Sequence, residues 1–175
     1  MTAPVAAAQD YVRVRIGSLQ VGIASSCVGQ AQARPAGVLP VPGTTGALAG
    51  VFSYQGRVIP LIDLRPWLHM AADTPCAYVL VLATDGLLAG LAVDAVSSAQ
   101  KIHPEHIEQV YHDDEPDHFF RYVARSAGDD ELLNLLEPQR LMLRAQAWTR
   151  TAGMQAGGDA PPELAQTGPA ISLAL

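Results

Sequence analysis

Gly50-Val51-Phe52-Ser53-Tyr54-Gln55-Gly56-Arg57-Val58-Ile59-Pro60-Leu61-Ile62-Asp63-Leu64 is the stretch that decides how this chain folds. Two apolar runs, Val51 to Tyr54 and Arg57 to Ile62, flank the pair Gln55-Gly56, a spacing that predicts a β-hairpin. Gly50 and Gly56 permit positive φ or close backbone approach at the hairpin ends. Pro60 has no N–H to give to a ladder, so within an apolar run it predicts an edge strand or a bulge. Asp63 closes the second run, where a carboxylate can accept backbone N–H bonds.

The same logic extends in both directions. Upstream, Val12, Val14 and Ile16 alternate with Arg13 and Arg15, Gly17-Ser18 supplies a turn, and Leu19, Val21 and Ile23 resume the alternation. From Ala24 to Gly29 the period is lost, and a short helical turn or bend fits best. Pro35, Gly37, Pro40, Pro42 and Gly43 then punctuate an irregular crossing. Downstream, Pro66 limits any helix over Leu64 to Leu68 to about one turn. His69 to Pro75 reads as a linker, after which strands are expected over Ala77 to Ala83, Leu87 to Asp94 and Val96 to Ile102. A last hairpin spans Phe119 to Arg125 and Glu131 to Leu136, around Gly128-Asp129-Asp130. Pro138 to Thr149 is the one persuasive helix, with Leu141, Ala145 and Trp148 on one face. Residues 1–10 and 151–175 read as flexible tails. The expected architecture is all-β, one domain over 11–150 built from two small β-subdomains that break near 69–76.

Composition narrows the function classes. The 175 residues are 49% hydrophobic and 16% charged, with 15 Gly and 13 Pro, which favours many short strands. A net charge of −6 and a lone lysine, Lys101, leave no basic stripe for nucleic acid and disfavour an anionic membrane surface. Cys27 and Cys76 form no metal-type spacing and read as two buried free thiols of a reducing compartment. The first ten residues lack a signal-peptide pattern, and the longest apolar run, Ala77 to Ala83, is far short of a membrane span. A cytoplasmic protein is expected.

Candidate chemistry is sparse. His103, His106, His112 and His118 lie among acids between 103 and 118, and could serve a metal-binding regulator or a small metal-dependent enzyme. Pro104 and Pro116 interrupt that segment, which also fits a solvated loop. Ser25-Ser26-Cys27 offers nucleophiles without a Gly-x-Ser-x-Gly elbow or a neighbouring histidine. Neither a Gly-x-Gly-x-x-Gly nor a Walker-type loop is present.

The opening stretch resembles the signature of CheW-like domains, Gly-Val-x-Asn-x-Arg-Gly-x-x-x-Pro-x-x-Asp-Leu. Gly90-Leu91-Ala92-Val93-Asp94-Ala95-Val96 is similar to a second marker of that family, Gly-x-x-Val-Asp-x-Val. The resemblance covers about residues 11–143. It implies two small SH3-like five-stranded β-barrels with a groove between them and a short C-terminal helix. It also implies a non-catalytic adaptor, without cofactor, that couples the cytoplasmic tip of chemoreceptors to a CheA-like histidine kinase in chemotaxis or a pilus-linked system. The interaction residues it implies are Val28, Gln30, Ser53, Gln55 and Gly56. Three of these depart from the family's habit: Ser53 replaces Asn, Gln55 stands where Arg is usual, and Gln30 where Glu is common. Two charges available for charge-assisted bonds with a partner are thereby lost. The glycines, Pro60 and both aspartates read as structural.

Overall fold

The computed structural model describes residues 7–44, 46–111, 118–126 and 131–155. Alternation around Gly17-Ser18 becomes an antiparallel pair, β1 (Gln9–Ile16) and β2 (Leu19–Ala24), in register from Tyr11↔Ala24 to Ile16↔Leu19. A 3-10 turn at Ser25–Cys27 then leads into β3 (Val28–Ala33). The bend expected over 24–29 is thus only three residues long. β3 was hidden because Gly29, Gln30, Ala31 and Ala33 are all exposed and leave no alternation to read.

The deciding stretch forms β4 (Leu48–Tyr54) and β5 (Arg57–Ile62), paired from Leu48↔Ile62 to Tyr54↔Arg57. The helix expected at 64–68 is a single turn, in which Leu68 N–H donates to the Leu64 carbonyl at 2.9 Å. β6 (Tyr78–Thr84) and β7 (Leu87–Val93) follow, joined by Asp85-Gly86, and then β8 (Ala95–Ile102). A 3-10 turn at Pro104–His106 and the short β9 (Ile107–Gln109) occupy what reads as loop. β10 (Tyr122–Arg125) and β11 (Leu132–Leu135) make the last hairpin, whose turn lies outside the described residues. The helix α1 (Pro138–Gln155) runs past its expected end at Thr149, so residues 151–155, expected as tail, are helical. The rest of that stretch, 156–175, lies outside the described residues, as do residues 1–6. Tyr11 was expected to open the ordered chain, yet β1 already includes Gln9 and Asp10.

The strands form two sheets, β8-β1-β2-β11-β10-β9 and β3-β6-β7-β5-β4. The expected pair of five-stranded modules is therefore one six-stranded and one five-stranded sheet. The expected break near 69–76 does not separate them. That segment connects β5 to β6 inside the second sheet, and the chain changes sheet at Ser25–Cys27 and again at Asp94. The first sheet is discontinuous in sequence and the second is inserted into it. Each nonetheless repeats one plan: a tight hairpin (β1–β2, β6–β7) whose second strand takes a parallel partner (β11, β5). Gly22 and Gly90 sit in those parallel pairings, and a Cβ on either would lie 2.6 Å from a core side chain. Pro60 is also not on an edge. β5 lies between β7 and β4, and the parallel pairing with β7 begins one residue after the proline, at Leu61.

The main core lies between the sheets. Val14, Ile16, Val21 and Ile23 of the first pack with Leu80, Leu82, Leu91 and Val93 of the second, and α1 adds Leu141, Met142 and Ala145. Trp67, Phe119 and Trp148 stack at its margin, with Trp67 5.7 Å from Phe119 and 6.0 Å from Trp148 between ring centroids. Smaller cores fill the second sheet around Phe52, Ile59 and Val81, and the first around Tyr11, Leu133 and Leu135.

Of the two cysteines expected to be buried, Cys76 is buried and Cys27 is only half-buried. Burial, reinforced by the negative charge of Asp63, pushes the Cys76 thiol up to about 12. At pH 8 only about one in ten thousand of such thiols is ionised. The folded protein should therefore yield one thiol equivalent to a maleimide reagent, and two after denaturation. Two rapid equivalents in native buffer would show that Cys76 is open to solvent.

Candidate docking site

β3 and β4 are the two edges of the second sheet, yet side chains on them meet. The Tyr54 hydroxyl donates to Gln30 Oε1 at 3.2 Å, and Gln55 Nε2 donates to the same hydroxyl oxygen at 3.2 Å. The sheet therefore curls until its edges approach, and residues 30 and 55 share one exposed patch. Gln55 and Gly56 are the central residues of the β4–β5 turn with φ of +49° and +76°. Positive φ at both is the two-residue form whose twist matches a hairpin. A Cβ on Gly56 would meet nothing within 4 Å, so glycine serves there for its conformation and not for space.

The other sequence candidates divide. Ser53 is exposed on β4, but strand alternation turns it to the opposite face from Tyr54. Val28 is half-buried against the main core and lies outside the Gln30–Tyr54–Gln55 contact. Tyr54, which joins the patch together, was not among the candidates. Its signal was its place two residues from Phe52, which sets an aromatic with a hydroxyl at the open end of an inward face.

At the far end of the β4–β5 hairpin from the Gln55-Gly56 turn, the signature's aspartates are structural. Asp63 Oδ1 accepts the Arg65 backbone N–H at 3.0 Å, and its carboxylate takes the guanidinium through Nε (3.0 and 3.2 Å) and Nη2 (2.6 Å). Arg65 Nη1 donates to the Thr74 carbonyl at 2.9 Å and stands 4.0 Å from Asp94 Oδ1. Asp94 Oδ2 in turn accepts Gly17 N–H at 2.7 Å, tying the first hairpin to the end of β7. Asp63 and Arg65 are 8% and 5% exposed, and the hydrogen bonds to Asp63 hold the guanidinium's pKa above its ordinary value. Arg65 was also missed. An arginine after Asp-Leu carries no pattern that distinguishes a buried clamp from a surface charge.

Among the described residues, the candidate chemical groups do not assemble into a metal site. His103 and His106 bracket the 3-10 turn with ring centroids 6.2 Å apart, while His118 lies against Tyr111 at 4.7 Å. His112 is outside the described residues, and among those described no three His, Cys, Asp or Glu side chains gather as a metal site. Ser26 Oγ and Cys27 Sγ are 4.0 Å apart beside a mainly apolar cavity of about 670 Å³, whose wall includes Tyr11, Ile107, Tyr122 and Leu135 but no histidine.

Two packed sheets thus carry an exposed hydrogen-bonding patch that spans the edges of the second. The CheW-like domain pattern matches residues 10–146, and the chain belongs to that family, whose members are non-catalytic adaptors of chemosensory signalling. It is similar to Protein FrzA of Myxococcus xanthus, with 29% identity over 143 residues covering 79% of this chain and 88% of that protein. Its fold is similar to that of the scaffolding protein TtCheW from Thermoanaerobacter tengcongensis, with a TM-score of 0.63 at 22% identity over 74% of this chain and 88% of the other. No helix among the described residues is long and apolar enough to cross a membrane.

Proposed function

We propose that this chain couples the cytoplasmic tip of a chemoreceptor to a CheA-like histidine kinase, and that Gln30, Tyr54 and Gln55 form its receptor-facing patch. The observation that carries the reading is the meeting of residues 30 and 55 through Tyr54 on an exposed sheet edge. Edges and strand ends of this kind suit recognition of another polypeptide. Gly56 acts by holding the turn, Ser53 borders the patch from the other face of β4, and Val28 supports β3 from the core. Membership of an adaptor family supports the reading from a separate direction.

The test is capture of purified receptor cytoplasmic fragment and purified kinase from the same genome. Binding of both, and a ternary complex, is the expected result; capture of neither ends the coupling reading. Gln55→Arg should strengthen receptor capture about threefold by turning a neutral hydrogen bond into a charge-assisted one. The position already holds a non-glycine residue at positive φ, so the change adds no new backbone strain. Unchanged affinity would mean that position 55 faces away from the receptor.

A further inference from the structure

We infer that Arg57 is the specificity-determining cation of this patch, and that the receptor segment seated there presents a carboxylate to it. This rests on the coupling reading above. Arg57 opens β5 and is the Cα partner of Tyr54 in the hairpin register. Directly opposed residues of an antiparallel pair put their side chains on the same face, with Cβ atoms about 4.5–5.5 Å apart. Arg57 therefore leaves the hairpin on the same face as Tyr54, whose hydroxyl joins Gln30 to Gln55. Further along that face, Phe52 and Ile59 are buried in the core of the second sheet, so Tyr54 and Arg57 form its outer rim.

The charge balance points the same way. Arg13, Arg65, Arg125 and Arg140 each pair with a carboxylate, of Glu131, Asp63, Glu108 and Glu137 respectively. Arg57 is exposed, and among the described residues no carboxylate pairs with it. Gln30, Ser53, Tyr54, Gln55 and Gly56 are uncharged, so the guanidinium is the patch's one charge. Its planar fork suits two-point contact with a carboxylate, while the glutamine–tyrosine relay holds a neutral surface beside it. A single cation in a neutral surface favours a partner with a carboxylate at that point and penalises one with a cation there.

The experiment measures the affinity of the full chain for receptor fragment and for kinase, separately and across salt concentrations. Arg57→Glu should weaken receptor binding about tenfold, Arg57→Gln about threefold, and Arg57→Lys less than either. Receptor affinity should lose much of its salt dependence in Arg57→Gln. Kinase affinity and Tm should stay at wild-type values in all three. Unchanged receptor affinity in Arg57→Glu overturns the inference while leaving the coupling reading in place, and so does a loss confined to the kinase. A wild-type chain that captures neither partner removes the reading and this inference together.

Discussion

Arg65→Met is expected to cost about 3–5 kcal/mol of folding free energy, because it strands a buried carboxylate. In the native chain that guanidinium makes three hydrogen bonds to the Asp63 carboxylate and one to the Thr74 carbonyl, with only 5% of Arg65 exposed. Methionine fills the space but leaves Asp63 with only the backbone N–H of residue 65, and leaves the Thr74 carbonyl without its donor. The double variant Asp63→Leu with Arg65→Met should recover most of the loss, since replacing a buried pair by apolar groups of similar volume is often near neutral. Urea unfolding of the wild type, both single variants and the double variant measures the coupling. If the double variant is no more stable than Arg65→Met, the pair is not the unit that holds this junction. Receptor and kinase capture by the folded fraction should survive, because the clamp lies at the opposite end of the β4–β5 hairpin from the patch.

Gly50→Ala should destabilise the chain by about 3 kcal/mol, by a different route. Its φ of +150° is one that side-chain-bearing residues rarely adopt, and a Cβ there would lie 2.5 Å from the Leu39 carbonyl oxygen. That oxygen accepts the Val51 N–H at 2.8 Å, and Leu39 N–H returns a bond to the Val51 carbonyl at 2.8 Å. The neighbour is backbone, so it cannot swing aside, and the segment crossing from β3 to β4 must shift. Gly86→Ala is the control. Gly86 also has positive φ, at +77°, but no heavy atom within 4 Å of a Cβ, so only the conformational cost of about 1 kcal/mol applies. Equal melting temperatures for the two variants would show that the approach of Leu39 is not the constraint.

The chain's own letters carried most of the strands, since tight turns and period-two burial are local. Gln55-Gly56 read as a hairpin turn and adopts positive φ at both central residues, as Asp85-Gly86 does between β6 and β7. Asp63, read as an acceptor at a strand end, accepts the Arg65 backbone N–H, and Asp94, read as structural, accepts that of Gly17. The resemblance to the CheW-like family was equally legible, resting on two motifs in order. What failed to show was set at a distance. β3 has an exposed, unpatterned surface and becomes a strand only by pairing with β6, from Val28↔Leu82 to Ala33↔Tyr78. The break near 69–76 looked like a boundary because no strand alternation runs from His69 to Pro75, yet the boundary between sheets follows pairing, which joins residues 28–33 to 78–82 across that gap.

The sequence alone thus determined the all-β class, the hairpins, the terminal helix and the family, because turn chemistry, alternation and motif order act over a few residues. Tertiary structure decided that the second sheet is inserted into the first, that Arg65 is a buried clamp, and that Gln30 meets Gln55 through Tyr54 with Arg57 on the same face. Those outcomes depend on curling and long-range pairing of strands, and the free energy of such contacts belongs to no single stretch of the chain.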